Sequence, residues 1–260
     1  ITGSIVHNVE VYGNYALVAH YSAGIRLVDI TNPAVPVEVA WYDSYSSNNG
    51  SSYNGCWGVY MFPSGKIIAS DRQTGLYVLK THFNLTMAIE GLYNPSTNRM
   101  NKKDSVTVYL RNAKAPYTIV DSAKSTIDSV TLTGSFRMNY APVGEYYMTV
   151  KHRSSLETWS KIGGEDYDPM TMESYNFVTS ASQAFGNNMI QVDASPVRFA
   201  LYSGDVNQDG SIDGGDASIV DNDVSNFVFG NVVTDLNGDY VVDGTDMSVV
   251  DNNAFNFVTR

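Results

Sequence analysis

Along most of the first 200 positions apolar and polar residues alternate with a period of two, the pattern of strands with one buried face. From Asn8 to Ala19 the alternation runs on both sides of Gly13-Asn14, which predicts a hairpin. It resumes through Gly24–Ile30 and stops at the turn Asn32-Pro33. A similar rhythm returns about 51 residues later, at Gly58-Val59-Tyr60, Gly65–Ala69 and Gly75–Leu79. Further strands are predicted at 85–92, 105–111, 117–123, 129–138, 145–151 and 197–202, with turns at Asn94-Pro95, Gly134 and Pro142-Val143-Gly144. Residues 161–190 show neither period, and the acidic stretch Gly163–Pro169 reads as a solvated loop. Past residue 203 the period changes. Ile219, Val220, Val224, Phe227 and Val228, and later Val249, Val250, Ala254 and Phe257, recur at three- and four-residue spacing and predict two short helices.

The expected fold is therefore mainly β, in three parts. Residues 1–81 carry four short strands per roughly 40–50 residues, the spacing of propeller blades. Two blades do not close a ring, so either earlier blades are missing or neighbouring chains cover the open edge. Residues 82–202 suit an immunoglobulin- or prealbumin-like β-sandwich, and 203–260 form a small α-helical module.

Charge singles out that last part. Of a net charge of -11, residues 203–260 contribute -10, from eleven Asp, no Glu and one Arg. The acids are not a disordered tail, because they lie in a repeat: 205–228 aligns with 235–258 at 13 of 24 positions, with a period of 30. Each copy sets oxygen-bearing side chains at loop positions 1, 3, 5, 9 and 12: Asp205, Asn207, Asp209, Asp213 and Asp216, then Asp235, Asn237, Asp239, Asp243 and Asp246. Calcium is a hard cation that takes six to eight oxygens, and a loop curling around it turns alternate side chains inward. Position 7 (Ser211, Val241) would add a backbone carbonyl, and position 9 would act through water. Apolar position 8 (Ile212, Val242) would pair the loops or pin them to the core.

The pattern resembles the duplicated calcium loops of dockerin modules, in which Asp closes the loop at position 12 and a helix follows. The resemblance implies two Ca2+ sites, and exposed Ser218, Asn222, Ser248 and Asn252 as docking residues for a cohesin-like receptor. The copies depart from each other at position 6, which is Gly210 in one and Tyr240 in the other. That position needs positive φ, which costs a bulky residue about 1 kcal/mol. The first site is expected to be the stronger.

Further resemblances concern the rest of the chain. The stretch 24–33, GIRLVDITNP, is similar to the LVIVD-type repeats of bacterial surface propellers, and the segment GVYMFPSGKIIASDRQTGLYVL looks like a last blade. Residues 142–152 resemble a strand of carboxypeptidase-regulatory-type modules, which are structural appendages. Residues 84–258 look similar to the carboxy-terminal part of secreted surface proteins of the Bacteroidetes–Ignavibacteria group. Asp104-Ser105-Val106, Asp121-Ser122-Ala123 and Asp128-Ser129-Val130 resemble O-glycosylation acceptors of that group, placing candidate sugars on Ser105, Ser122 and Ser129. Asn49 and Asn84 match the N-linked triplet.

Several classes are excluded or disfavoured. The acidic balance argues against a nucleic-acid partner, and no apolar run is long enough to span a membrane. The single Cys56 excludes a disulfide framework and reads as a small buried apolar residue. The four His (7, 20, 82, 152) lie outside any ligand spacing, and His7 and His20 read as satisfied core residues. The chain opens on Ile-Thr-Gly-Ser, without Met, signal peptide or carboxy-terminal anchor, and reads as a mature or trimmed product. No nucleophile elbow, zinc motif, phosphate loop or dinucleotide fingerprint is present. The expectation is a non-enzymatic, secreted, cell-surface structural or adhesive protein, stabilised by calcium and assembling with copies of itself as a filament or layer. The alternatives are a dockerin-like module docking a cohesin-like scaffold or surface glycan, and an accessory part of a carbohydrate-active enzyme.

Overall fold

The computed structural model describes residues 3–63, 65–168 and 174–260. It divides into two compact units, Ile1–Thr81 and His82–Arg260.

In the first unit β1 (Asn8–Tyr12), β2 (Tyr15–Ala19), β3 (Ile25–Asp29) and β4 (Val37–Tyr42) form one antiparallel sheet in chain order. β5 (Cys56–Met61), β6 (Lys66–Asp71) and β7 (Gly75–Lys80) form a second. These are separate sheets, not a closed propeller. Alternation decides what is buried: Leu17, Ala19, Ile25 and Leu27 from the first sheet, Cys56, Val59, Met61, Ile67 and Ala69 from the second. Tyr21 and Cys56 bridge the sheets through paired backbone hydrogen bonds. Gly55 permits that approach, since a Cβ there would lie 2.2 Å from the Tyr21 carbonyl oxygen. Burial, and then the nearby Asp71 charge, push the Cys56 thiol up to about 12, which leaves it an inert core group. His20 is half-buried, but His7 is exposed and lays its ring on Trp57 at 4.2 Å between centroids. The core assignment of His7 is thus corrected: β1 is an edge strand, and the residue before it is covered only in part, by the Trp57 and Tyr21 rings.

The second unit opens with β8 (Phe83–Thr86), a small hairpin of β9 (Tyr93–Asn94) and β10 (Arg99–Met100), and the long strands β11 (Asp104–Asn112) and β12 (Ile119–Ile127). There follow β13 (Thr133–Phe136), β14 (Gly144–Lys151), β15 (Thr158–Trp159), β16 (Glu165–Tyr167), β17 (Ser174–Asn176) and the hairpin β18 (Ile190–Ala194) with β19 (Val197–Ala200). One sheet runs β12-β11-β14-β15, with β16 also paired to β14; another runs β13-β8-β17. Val108, Leu110, Met148 and Val150 from the first share one core with Leu85, Phe136 and Phe177. The chain ends with α1 (Gly214–Ser225) and α2 (Gly244–Phe255).

Four expectations need correction. The strand read at 85–92 stops at Thr86, and the one read at 129–138 is only Thr133–Phe136. Asp128 explains the second, because its carboxylate accepts hydrogen bonds from the Val130 and Thr131 N–H groups and makes Ser129 part of a turn. Gly134 lies inside β13, not in a turn. Within the acidic stretch 163–169, Glu165–Tyr167 is a strand paired with Gly144–Tyr146, because Tyr167 reaches the core; Pro169 lies outside the described residues.

His152 sits at the end of β14, is 1% exposed, and bonds Ser155 through Nδ1 at 3.0 Å. Burial holds its imidazole below the usual 6.5, although the Asp104 carboxylate 3.4 Å from Nε2 works the other way. As pH falls below 6.5 the unfolded chain takes up a proton that the folded chain refuses, so stability declines with acidification there. Urea midpoints should drop between pH 7 and pH 5.5, and His152→Gln should flatten that slope. An equally steep slope in the variant would assign the loss elsewhere.

Candidate metal centre

Both acidic loops lie in the second unit, and each begins on an aspartate buried under its own helix: Asp205 is 2% exposed and Asp235 0%. The chain is committed to this turn by side-chain caps. Asn207 Oδ1 accepts from Asp209 N, and Asp209 Oδ1 from Ser211 N; Asn237 and Asp239 repeat both bonds in the second loop. Asp213 and Asp243 are the N-caps of α1 and α2, each completing a capping box with Asp216 or Asp246 at the third helical position. Asp216 Oδ1 also accepts from Val206 N and Asn207 N, and Asp246 Oδ1 from Leu236 N and Asn237 N. Positions 9 and 12 therefore start a helix and close the loop at once, which explains why Asp stands there: its short side chain reaches the backbone of its own turn.

Ile212 and Val242 are buried in one small core with Val206, Val220, Leu236, Val250 and Val258. Each also pairs with the exit of the opposite helix, Ile212 N donating to Val258 O and Val242 N to Val228 O. The repeats thus interlock, each loop against the other copy's helix end. Positions 4 and 6 both take positive φ in both copies: Gln208 at 61° and Gly210 at 93°, Gly238 at 79° and Tyr240 at 71°. Each loop carries one glycine and one strained side chain. The strain at Tyr240 is matched by that at Gln208, whose side chain ties the Asp205 and Ser155 carbonyls.

Electrostatics separates the copies. In the first loop Asp205 Oδ2 accepts from Gly210 N at 3.3 Å, while the buried Oδ1 has no hydrogen-bond partner among the described residues. Burial, then the like charges of Asp216 and Asp209, raise its carboxyl to about 6. A cation would relieve an unpaired buried carboxylate oxygen that also feels two further carboxylates. Among the described residues no three His, Cys, Asp or Glu side chains cluster closely enough to hold a metal alone. Amide, backbone and water oxygens would complete the shell, which suits calcium and not zinc. In the second loop burial likewise raises the Asp246 carboxyl, but Asp235 is already paired with Lys102 at 2.8 Å.

Residues 3–44 match the LVIVD repeat. The match spans β1–β4 and ends before the second sheet of the first unit. No curated protein matches the chain. Two crystal structures of mutant type II cohesin–X-dockerin complexes from Acetivibrio cellulolyticus superpose weakly, with TM-scores of 0.40 and 0.39 at 15% and 16% identity. Each alignment covers 68% of this chain and 99% of the other.

Of the residues singled out for sugars, Asn49 and Ser122 are exposed, whereas Ser105, Ser129 and Asn84 are half-buried. Asp104 and Asp121 of those triplets have structural work. Asp104 bonds Arg153, and Asp121 Oδ2 collects the N–H groups of Asn139, Tyr140 and Ala141. A cavity of about 330 Å³ is lined by Arg111, Tyr117, Tyr147, Glu157, Trp159 and Phe185, among others. The Arg111 guanidinium already covers the Trp159 ring at 5.2 Å, so that aromatic face is not free to stack on a ligand. Lys102 and Asn253, which tie the loops and helices to the sheets, had no periodic or motif signal in the sequence.

Proposed function

We propose that this chain is a non-enzymatic structural protein of the bacterial cell surface, secreted, held by calcium at its carboxy-terminal repeat and assembling through its LVIVD-repeat sheet. The observation that carries the assembly is β4. All six of its residues are exposed at the edge of a sheet, and Val37, Val39, Trp41 and Tyr42 stand in solvent. An unpaired apolar edge of that length is a template for another strand, and a second copy of this chain is the partner we infer. Support for calcium is the orphaned buried oxygen of Asp205. In this reading residues 82–202 are a β-sandwich spacer and 203–260 a dockerin-like module. Sedimentation of the whole chain with calcium should show species larger than a monomer, and Val39→Lys with Trp41→Lys should return them to monomers. A monomer at every concentration would overturn the reading.

A docking role for the repeat is the second reading. Phe227 and Phe257 occupy matching helix exits at positive φ and are each 85% exposed, beside exposed Asn222, Asn252, Ser218 and Ser248. Two bare aromatic rings at equivalent places are costly unless a partner covers them. Phe227→Ala with Phe257→Ala should abolish binding of a purified cohesin-type domain and leave stability unchanged.

A further inference from the structure

The two loops share their turn bonds and helix caps, which allows their cation sites to be compared. In each, one oxygen of the position-1 aspartate accepts the position-6 N–H at 3.3 Å: Asp205 Oδ2 from Gly210, Asp235 Oδ1 from Tyr240. The other oxygen is the one left for a cation. On Asp205 that oxygen is buried and unpartnered. On Asp235 it holds the Lys102 ammonium at 2.8 Å.

Lys102 is built into this place. It comes from the turn between β10 and β11, and its side chain is 10% exposed against 0% for Asp235. Its Nζ also donates to Asn231 Oδ1 at 3.0 Å and lies 4.8 Å from the centre of the Tyr240 ring. Tyr240 is the residue that departs from glycine at position 6. Its ring supplies a cation–π roof over the ammonium, which explains why a bulky side chain is kept at a φ of 71°. Gly238 completes the channel, since a Cβ there would come within 3.2 Å of the Lys102 stem carbons. Arg153 adds a second cation at the same loop, its guanidinium donating to the Val232 and Asp235 carbonyls. The first loop has no such arrangement: Arg260 lies beside Gly210, but its guanidinium pairs with Glu157 at 3.2 Å.

We propose that Lys102 excludes calcium from the second loop, its tethered ammonium supplying the charge that a second ion would bring, so that the chain binds one calcium ion and not two. A divalent ion entering beside Asp235 would have to expel a nearly buried ammonium from its carboxylate, its amide and its aromatic roof, or be repelled by it. The arrangement leaves one half of the repeat responsive to calcium and makes the other half, with its grip on the sheets, independent of it. This inference rests on the reading of the first loop as a calcium site.

The test is calcium stoichiometry of the whole chain by native mass spectrometry and calorimetry, with calcium alone as probe. Wild type and Lys102→Arg should each take one ion, Lys102→Met two, Asp235→Asn one and Asp205→Asn none. Two ions in wild type would overturn the proposal and leave the calcium reading standing, whereas none in wild type would remove both. One ion in a folded Lys102→Met would also overturn it, since the lysine would not be what excludes the second. Should that variant not fold, reductive methylation of wild type decides. Lys102 should stay protected relative to exposed Lys103 at saturating calcium, and calcium-induced reactivity of Lys102 would refute the proposal.

Discussion

Stripping calcium from the intact chain should open the first loop and α1 and leave the second loop, α2 and the sheets in place. Without a cation Asp205 keeps an unpaired oxygen in the core beside the charges of Asp216 and Asp209. The helix that follows is held by few contacts: Val220 is buried, Ala217 and Val224 pack partly against the small core, and Asp223 accepts one bond from Thr234 at 2.6 Å. An ion that binds only the closed loop stabilises it by about 2.7–4.1 kcal/mol at 100- to 1,000-fold excess over its dissociation constant. Amide exchange over residues 206–225 should therefore quicken by roughly a hundred- to a thousandfold on chelation, since each 1.4 kcal/mol is about a factor of ten. Residues 236–255 should change little. Asp205→Ala should reproduce the effect without chelator. Asp239→Ala should cost about 1 kcal/mol, the loss of its bond from the Val241 N–H, and should cost the same with and without chelator. Equal quickening of both loops would mean that both hold an ion, and no change in either would mean that the loops are turns.

The repeat made these loops legible, and it also hid how they differ. Alternating oxygens, the closing aspartate and the helical period predict two turns and two helices, because each of those features acts within a dozen residues of its own cause. α1 and α2 begin inside the loops, capped by Asp213 and Asp243, earlier than the apolar spacing from Ile219 and Val249 marks. What set the copies apart lay at their non-identical positions, Gln208 against Gly238, Gly210 against Tyr240 and Asp223 against Asn253, and the reason for each is a distant partner. Tyr240 answers Lys102, and Asn253 answers Glu90, 163 residues away in sequence. Alignment shows that such positions differ but not what they face. The middle strands were misread for a related reason: Asp128 and Asp121 bend the chain through their own carboxylates, and a count of alternating residues does not register a side chain that bonds backbone. Blade count led to the expectation of an open edge, but β4 itself lies past Asn32-Pro33, where the alternation stops, and is an edge because it is the outer strand of its own sheet.

Asn253→Leu should be the most damaging change of a polar residue in the repeat. Asn253 lies on the inner face of α2, 1% exposed, and its Nδ2 donates to Glu90 Oε2 at 2.7 Å and to the Ser203 carbonyl at 2.8 Å. Ser203 N completes the knot by donating to the same Glu90 oxygen at 2.9 Å. Burial already holds the Glu90 carboxyl above its usual range, against the pull of these two donors. Leucine of similar size would leave a buried carboxylate with one donor fewer and a buried carbonyl with none, a cost of about 3–5 kcal/mol. Asn256, exposed and bonded only within α2, should tolerate alanine at about 0.5 kcal/mol or less. The pH response separates a lost hydrogen bond from lost packing. A carboxyl whose folded pKa is raised stabilises the fold fully below its unfolded value of 4.5 and loses that contribution as pH climbs through the folded value. Removing the Asn253 donor raises the folded value further, so the gap between variant and wild type should narrow as pH falls from 7 towards 4.5. Chemical denaturation of both chains across that range is the measurement, and it cancels the His152 response, which the two share. A gap that stays constant with pH would mean that Asn253 contributes by shape alone and that Glu90 is not its partner in solution.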